Sequence, residues 1–202
     1  MLKIDKEIKI KIQKYISFKE DATLALNINN IYNLENLDKH INLFINFGKI
    51  NNIIRINKFH EKVNSKLKNN DFYVICSETL EERRKRVWLK APFGFKNIFR
   101  IVDFIFKRVI PKLPLLKKIY FAVTGGNNRV MSKAEILGRL ISCGFEVKEY
   151  FEYKNLFYVI SKKIKEPDFN LFPSYSPIFK MSRIGYNGKF IGVYKLRTMY
   201  PY

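Results

Sequence analysis

Apolar residues recur along the chain with periods that change from segment to segment, and each change predicts an element. Ile4, Ile8, Ile12 and Ile16 are spaced by four among lysines and glutamates, which predicts a helix within residues 1–20 carrying one apolar stripe. "ATLALNINNIY" (22–32) is a short apolar run that opens into a polar turn, the pattern of a buried strand. Within 49–67, Ile53, Ile56, Phe59, Val63 and Leu67 fall on one helical face. "DFYVICSE" (71–78) has no polar alternation and reads as a strand buried on both faces. "TLEERRKRVWLK" (79–90) returns to a helical pattern with a charged outer side. "NIFRIVDFIFKRVIPKLPLL" (97–116) predicts a basic amphipathic helix that Pro111 and Pro114 bring to an end. A basic face opposite bulky aromatics fits either the core side of a globule or an anionic membrane surface.

"SKAEILGRLISCG" (132–144) opens with Ser132 and Glu135 at capping-box spacing, buries Ile136, Leu137, Leu140 and Ile141, and closes on Gly144, a C-terminal cap residue. "FEVKEYFEYKNLFYVISKK" (145–163) follows as two strands around a Lys154-Asn155 turn. Alternating strands and helices make residues 22–163 an α/β segment. Its closing helix, strand, turn and antiparallel strand resemble the end of a Rossmann-like methyltransferase sheet. Such a fold grips its cofactor with a glycine-rich turn after the first strand. None of the nine glycines here stands in G-x-G spacing, and "TGGNNR" (124–129) precedes a late helix, so the expectation is an α/β part without a cofactor loop.

Charge narrows the partners. The chain of 202 residues carries a formal +20, which attracts polyanions such as anionic lipid, phosphorylated substrates or nucleic acid. Residues 79–118 concentrate it, with twelve Lys and Arg against Glu81, Glu82 and Asp103. Nucleic acid is the weakest of the three, because the aromatics lie in apolar runs and not singly among cations as stacking platforms do. Cys76 and Cys143 stand far apart in apolar settings, as reduced core thiols do, and His40 and His60 are too few for a zinc cluster, so no metal site is expected. "MLKIDKEIKIKIQKY" lacks the apolar core of a signal peptide, and no run is long enough for a simple transmembrane helix.

"KEPDFNLFPSYSP" (165–177) holds three prolines and reads as a linker. Beyond it two apolar runs flank Tyr186-Asn187-Gly188, and Asn-Gly supplies the positive φ angles of a hairpin. Alternation sets Lys195 and Arg197 side by side on one strand face, about 7 Å apart, a mobile point charge beside a planar fork, which suits a diphosphate. "SPIFKMSRIGYNGKFIGVYKLRTM" resembles the signature that opens the bacterial sugar transferase domain of the polyprenyl-phosphate sugar-1-phosphate transferases. The matching positions are Pro177, Phe179, Arg183, Ile184, Gly185, Asn187, Gly188, Tyr194, Lys195, Leu196, Arg197, Thr198 and Met199. Ser176 stands where the family has Gly, and Leu196 where it has Phe.

That resemblance implies an enzyme portion that transfers a sugar-1-phosphate from a nucleotide sugar to a polyprenyl phosphate in capsule, O-antigen or exopolysaccharide synthesis. It implies Arg183, Lys195 and Arg197 as phosphate-binding residues, Gly185, Asn187, Gly188 and Thr198 as structural signature, and Mg²⁺ as the complete enzyme's cofactor. It implies peripheral attachment at the cytoplasmic face of the bacterial inner membrane, or otherwise a cytoplasmic protein, with the family's membrane helix either missing or replaced by the basic region near 97–116. The family's catalytic Asp-Glu pair follows the signature, so the expectation is no catalytic residue within this sequence and no activity by itself. The expected fold class is α/β: a Rossmann-like partial sheet over 1–164, a linker over 165–177, and over 178–202 a β-hairpin that begins a sugar transferase domain. The alternative is a non-catalytic methyltransferase-like module that binds a partner enzyme or an anionic membrane surface.

Overall fold

The computed structural model describes residues 4–16, 22–34, 41–90, 94–167 and 178–196. The chain forms two compact units, Met1–Asp168 and Phe169–Tyr202. In the first, elements follow the order α1 (Lys6–Gln13), β1 (Thr23–Leu26), β2 (Leu43–Lys49), α2 (Ile56–Lys66), β3 (Phe72–Ser77), α3 (Leu80–Lys90), α4 (Lys96–Phe104), α5 (Pro114–Thr124), α6 (Lys133–Ser142), β4 (Phe145–Tyr153) and β5 (Leu156–Lys163). The strands form one mixed sheet in the order β1-β2-β3-β5-β4. The first three run parallel, and β5 lies antiparallel between β3 and β4. The unit is therefore α/β. The strand β2 and the helix α5 are elements that the hydrophobic pattern did not reveal.

Period-two alternation sorts the core into two layers. Phe72, Val74 and Cys76 of β3 face one side of the sheet with Leu43, Ile45, Tyr158 and Ile160, and α1 covers them with Ile8 and Ile12. Tyr73 and Ile75 face the other side, under Ile56, Phe59 and Val63 of α2 and Ile136 and Leu140 of α6. Each of these fully buried aliphatic side chains contributes about 2 kcal/mol of transfer free energy. β4 is an edge strand that alternates half-buried with exposed. The hairpin to β5 turns on Lys154 and Asn155, both left-handed at φ 49° and 59°. Ser132 caps α6 by accepting from Glu135 N at 3.2 Å, and Gly144 follows at φ 86°. A Cβ there would lie 2.2 Å from Lys165 O, so only glycine fits. Both cysteines are buried and unbridged, and burial pushes each thiol up to about 12.

The layer from α3 to α5 departs from the expected single helix. α4 continues through a π turn (Ile105–Val109) and a 3₁₀ turn (Ile110–Lys112). Pro114 then starts α5 at its first position, where a missing N–H costs no bond, instead of only ending the preceding helix. Gly125, left-handed at φ 59°, caps α5.

α4 is turned inside out relative to a helix on a soluble core. Arg83 grips Asp103 with two hydrogen bonds, of 2.7 and 2.6 Å, and Arg108 reaches Val130 O at 3.0 Å and Glu135 at 3.3 Å. Burial alone would lower the Arg83 pKa, but hydrogen bonding and charge from Asp103, with Glu78 behind, outweigh it and hold the guanidinium above its ordinary value. Asp103 and Arg108 thus face the globule, and Ile98, Ile101, Val102, Ile105 and Val109 face out, with no residue of α4 buried. Replacing Asp103 with Ala should free this helix locally. Amide exchange across α4 should rise about tenfold or more, from loss of charged hydrogen bonds worth about 1.5–3 kcal/mol, while the sheet amides keep their protection.

His60 of α2 is fully buried, with Nδ1 3.2 Å from the Tyr73 hydroxyl. Burial, helped by the Arg139 charge, lowers its pKa to about 3, so the ring is neutral in the fold. Unfolded histidine titrates near 6.5, so protons bind the unfolded chain in preference: stability is full above about pH 6.5 and declines as pH falls toward 3. Between about pH 7.5 and about pH 5 the protein should lose about 2 kcal/mol, a loss that His60→Gln abolishes in paired urea titrations.

Candidate functional site

In open α/β sheets ligands bind beyond the carboxyl ends of the strands. Here the ends of β1 and β2 border a cleft of about 830 Å³ whose lining includes Asn27, Asn29, Asn30, Asn52 and Arg55. Asn46 builds it: its side-chain amide pairs with Ile28 O at 3.0 Å and Ile28 N at 3.1 Å, clamping the chain that leaves β1. Gly48 must be glycine, since a Cβ would meet Ile28 O at 2.4 Å. Among the described residues the cleft offers amide donors and acceptors, one guanidinium and the Tyr32 phenol. The turn that follows β1 carries Asn27, Asn29 and Asn30.

Beyond β3 the buried Asn51 amide ties neighbouring chain segments together. Asn51 donates to Glu78 O at 2.8 Å and Arg129 O at 2.7 Å, and accepts from Ser77 Oγ at 3.0 Å and Glu78 N at 2.7 Å. Glu78 receives Arg86 in a two-point ion pair, at 2.5 and 3.0 Å. "TGGNNR" serves this framework as a latch: Arg129 N donates to Asn51 O at 3.2 Å, and the Arg129 guanidinium bonds Ile53 O. Its glycines act as helix cap and turn.

The sequence-derived phosphate residues belong to the second unit. There β6 (Ile178–Ile184) and β7 (Phe190–Leu196) pair antiparallel around Gly185–Lys189. Asn187 and Gly188 are left-handed at φ 55° and 73°, as the Asn-Gly pair predicts, and Gly185 N closes the turn on Lys189 O at 2.7 Å. Arg183 pairs with Ile191, so Arg183, Ile191, Val193 and Lys195 share one face. Lys195 lies four residues further along β7, about 13 Å from the Arg183 position by strand rise. The register brings the two to one face but to opposite ends of it. Both are exposed. Arg197 and Thr198 lie outside the described residues, as does His40. Among the described residues no group of His, Cys, Asp and Glu could hold a metal ion.

Ala at position 188 would force a Cβ into a left-handed turn at a cost of about 1 kcal/mol. Gly188→Ala should speed exchange of the Gly185 amide several-fold while leaving the thermal midpoint of the α/β unit in place.

No protein-family model and no curated protein matches the chain. Among solved structures it is similar to a possible exported protein from Bordetella parapertussis, at 14% identity and a TM-score of 0.39. The likeness covers 67% of this chain and 43% of that one, so the chain spans less than half the length of that protein. A likeness this distant carries no statement about activity.

Proposed function

We propose that the second unit begins a sugar transferase domain, and that the chain is the N-terminal portion of an enzyme moving a sugar-1-phosphate from a nucleotide sugar to a polyprenyl phosphate. The observation that carries this reading is the hairpin: the signature residues Asn187 and Gly188 take the left-handed conformations that an Asn-Gly turn uses. A second observation agrees. Ile184, Phe190, Tyr194 and Leu196 are exposed on the hairpin, and a two-stranded ribbon with unpacked apolar faces is marginal until more structure covers it. The α/β unit fits a non-catalytic methyltransferase-like module. Its order β1-β2-β3-β5-β4, with an antiparallel strand set inside the edge, matches the end of such a sheet, and its first turn offers asparagines where a cofactor would need glycines.

In this reading Lys195 and Arg197 neutralise the diphosphate of the nucleotide sugar, the lysine as a point charge and the arginine as a two-point donor. Arg183, at the far end of the same face, serves the more distant phosphate or the nucleoside side. Mg²⁺ calls for carboxylate oxygens, and no Asp or Glu stands between Phe169 and Tyr202, so these residues do not hold the ion themselves. Their work is to bind and orient an anion.

The test uses the complete gene product with nucleotide sugar, Mg²⁺ and undecaprenyl phosphate, following formation of lipid-linked sugar phosphate. Lys195→Ala and Arg197→Ala should each lower kcat/KM about ten- to a hundredfold, from one lost charge-assisted contact. Unchanged kcat/KM in both variants, or no lipid-linked product from the parent, overturns the assignment.

A further inference from the structure

The apolar stripe of α4 needs a cover, and the charges around it say of what kind. We propose that the outward face of α3, α4 and α5 is a docking surface for an anionic phospholipid bilayer, on which the helices lie in the plane of the interface. This inference stands on the first unit alone and is independent of the transferase reading.

Ile98, Ile101, Val102, Ile105 and Val109 follow one another at helical spacing, and every one is exposed, Ile101 and Val102 at 59%. α5 repeats the pattern with Leu116, Ile119 and Val123, while Tyr120 turns inward. Such a stripe ordinarily packs on the core. Here the ion pairs of Asp103 with Arg83 and of Arg108 with Glu135 hold the helix with its apolar stripe outward, so the exposure is built in. From Lys96 to Val109 the helical path is about 20 Å, well short of the roughly 30 Å apolar core of a bilayer. Among the described residues no helix is long and apolar enough to cross a membrane. Lying flat is the geometry that remains for lipid contact.

Charge chooses a bilayer over a protein partner. The three acidic residues of 79–118 are each engaged within the fold: Glu81 by Lys133 at 2.8 Å, Glu82 by Thr79 N at 2.8 Å, and Asp103 by Arg83. Arg84, Lys85 and Lys118 are exposed at the rim, and Lys96 and Arg100 are half-exposed. Lys96 Nζ and the Arg100 guanidinium stand 4.9 and 5.6 Å from the centre of the Trp88 ring, cations and an interfacial aromatic at one level. Between α3 and α4 an open groove of about 330 Å³ is lined by Arg84, Asn97, Arg100, Ile101 and Phe104. Two guanidiniums and an amide beside two apolar side chains suit a phosphodiester headgroup with its glycerol and first methylenes. Protein interface cores are depleted in lysine, whereas cations that snorkel beside apolar side chains are what an anionic interface selects.

Trp88 is the sole tryptophan of the chain and reports directly on the face. The full chain should sediment with phosphatidylcholine vesicles containing about a third phosphatidylglycerol, far less with phosphatidylcholine alone, and less as salt rises. Trp88 emission should shift to the blue, and brominated lipid should quench it. Ile101→Asp with Ile105→Asp should abolish both signals; these positions are exposed, so circular dichroism should be unchanged. Arg84→Ala with Arg100→Ala should weaken partition about thirtyfold, from about 1 kcal/mol per cation. Three results overturn the proposal: no binding to the anionic vesicles at low salt, binding that leaves Trp88 emission and the Ile101→Asp, Ile105→Asp variant unaffected, or a lipid-free oligomer that already shields Trp88. The last would make this face an interface between copies of the chain.

Discussion

Beyond the carboxyl end of β3 the chain must find partners for buried polar groups where the sheet no longer supplies them, and the rest of the α/β unit follows from how it does so. Asn51 spends its whole side-chain amide on this, tying the turn after β2 to Ser77, Glu78 and Arg129. The two chain crossings it joins are the departure into α3 and the return from α5. Once these are fixed, Arg83 stands where it meets Asp103. A buried guanidinium without a carboxylate would cost several kcal/mol, so the pair is satisfied and α4 is turned with Asp103 inward. The outward apolar face is thus a consequence of satisfying charges at the base of the layer.

The two units place cations in different company. On α3 and α4 they border an exposed apolar surface and a groove. On the hairpin, Arg183 and Lys195 share one strand face at the spacing set by the pairing of β6 with β7. A formal charge of +20 is therefore carried in two different local settings.

Much of the fold was legible because its signals are local. Ser132 and Gly144 mark the ends of α6, Lys154-Asn155 and Asn187-Gly188 mark the hairpins, and the Ile8–Ile12 spacing marks the buried side of α1. Two elements were hidden for chemical reasons. In β2, Asn46 breaks the apolar run, and only the fold shows it to be a buried clamp on Ile28. In α5, Pro114 has the look of a stop but stands at a helix start. Amphipathicity revealed that residues 97–109 have an apolar side, yet its direction depends on Arg83 meeting a carboxylate twenty positions away. Alternation likewise set Lys195 beside Arg197 on one strand face, but the distance from Lys195 to Arg183 depends on the pairing of Arg183 with Ile191, which alternation does not fix.

The π turn at Ile105–Val109 behaves as a single-residue insertion in an otherwise regular helix. In a regular helix each residue advances about 100°, which would leave Arg108 on the boundary between the two sides of α4. The wider turn advances less per residue and swings Arg108 round to Val130 and Glu135, while Ile105 and Val109 stay outside. Evolutionary drift by one codon in this segment would rotate everything after it. The length of the turn is accordingly as much a determinant of the surface as the identity of any side chain on it, and relatives that keep the apolar residues but lose the extra position would present a different face.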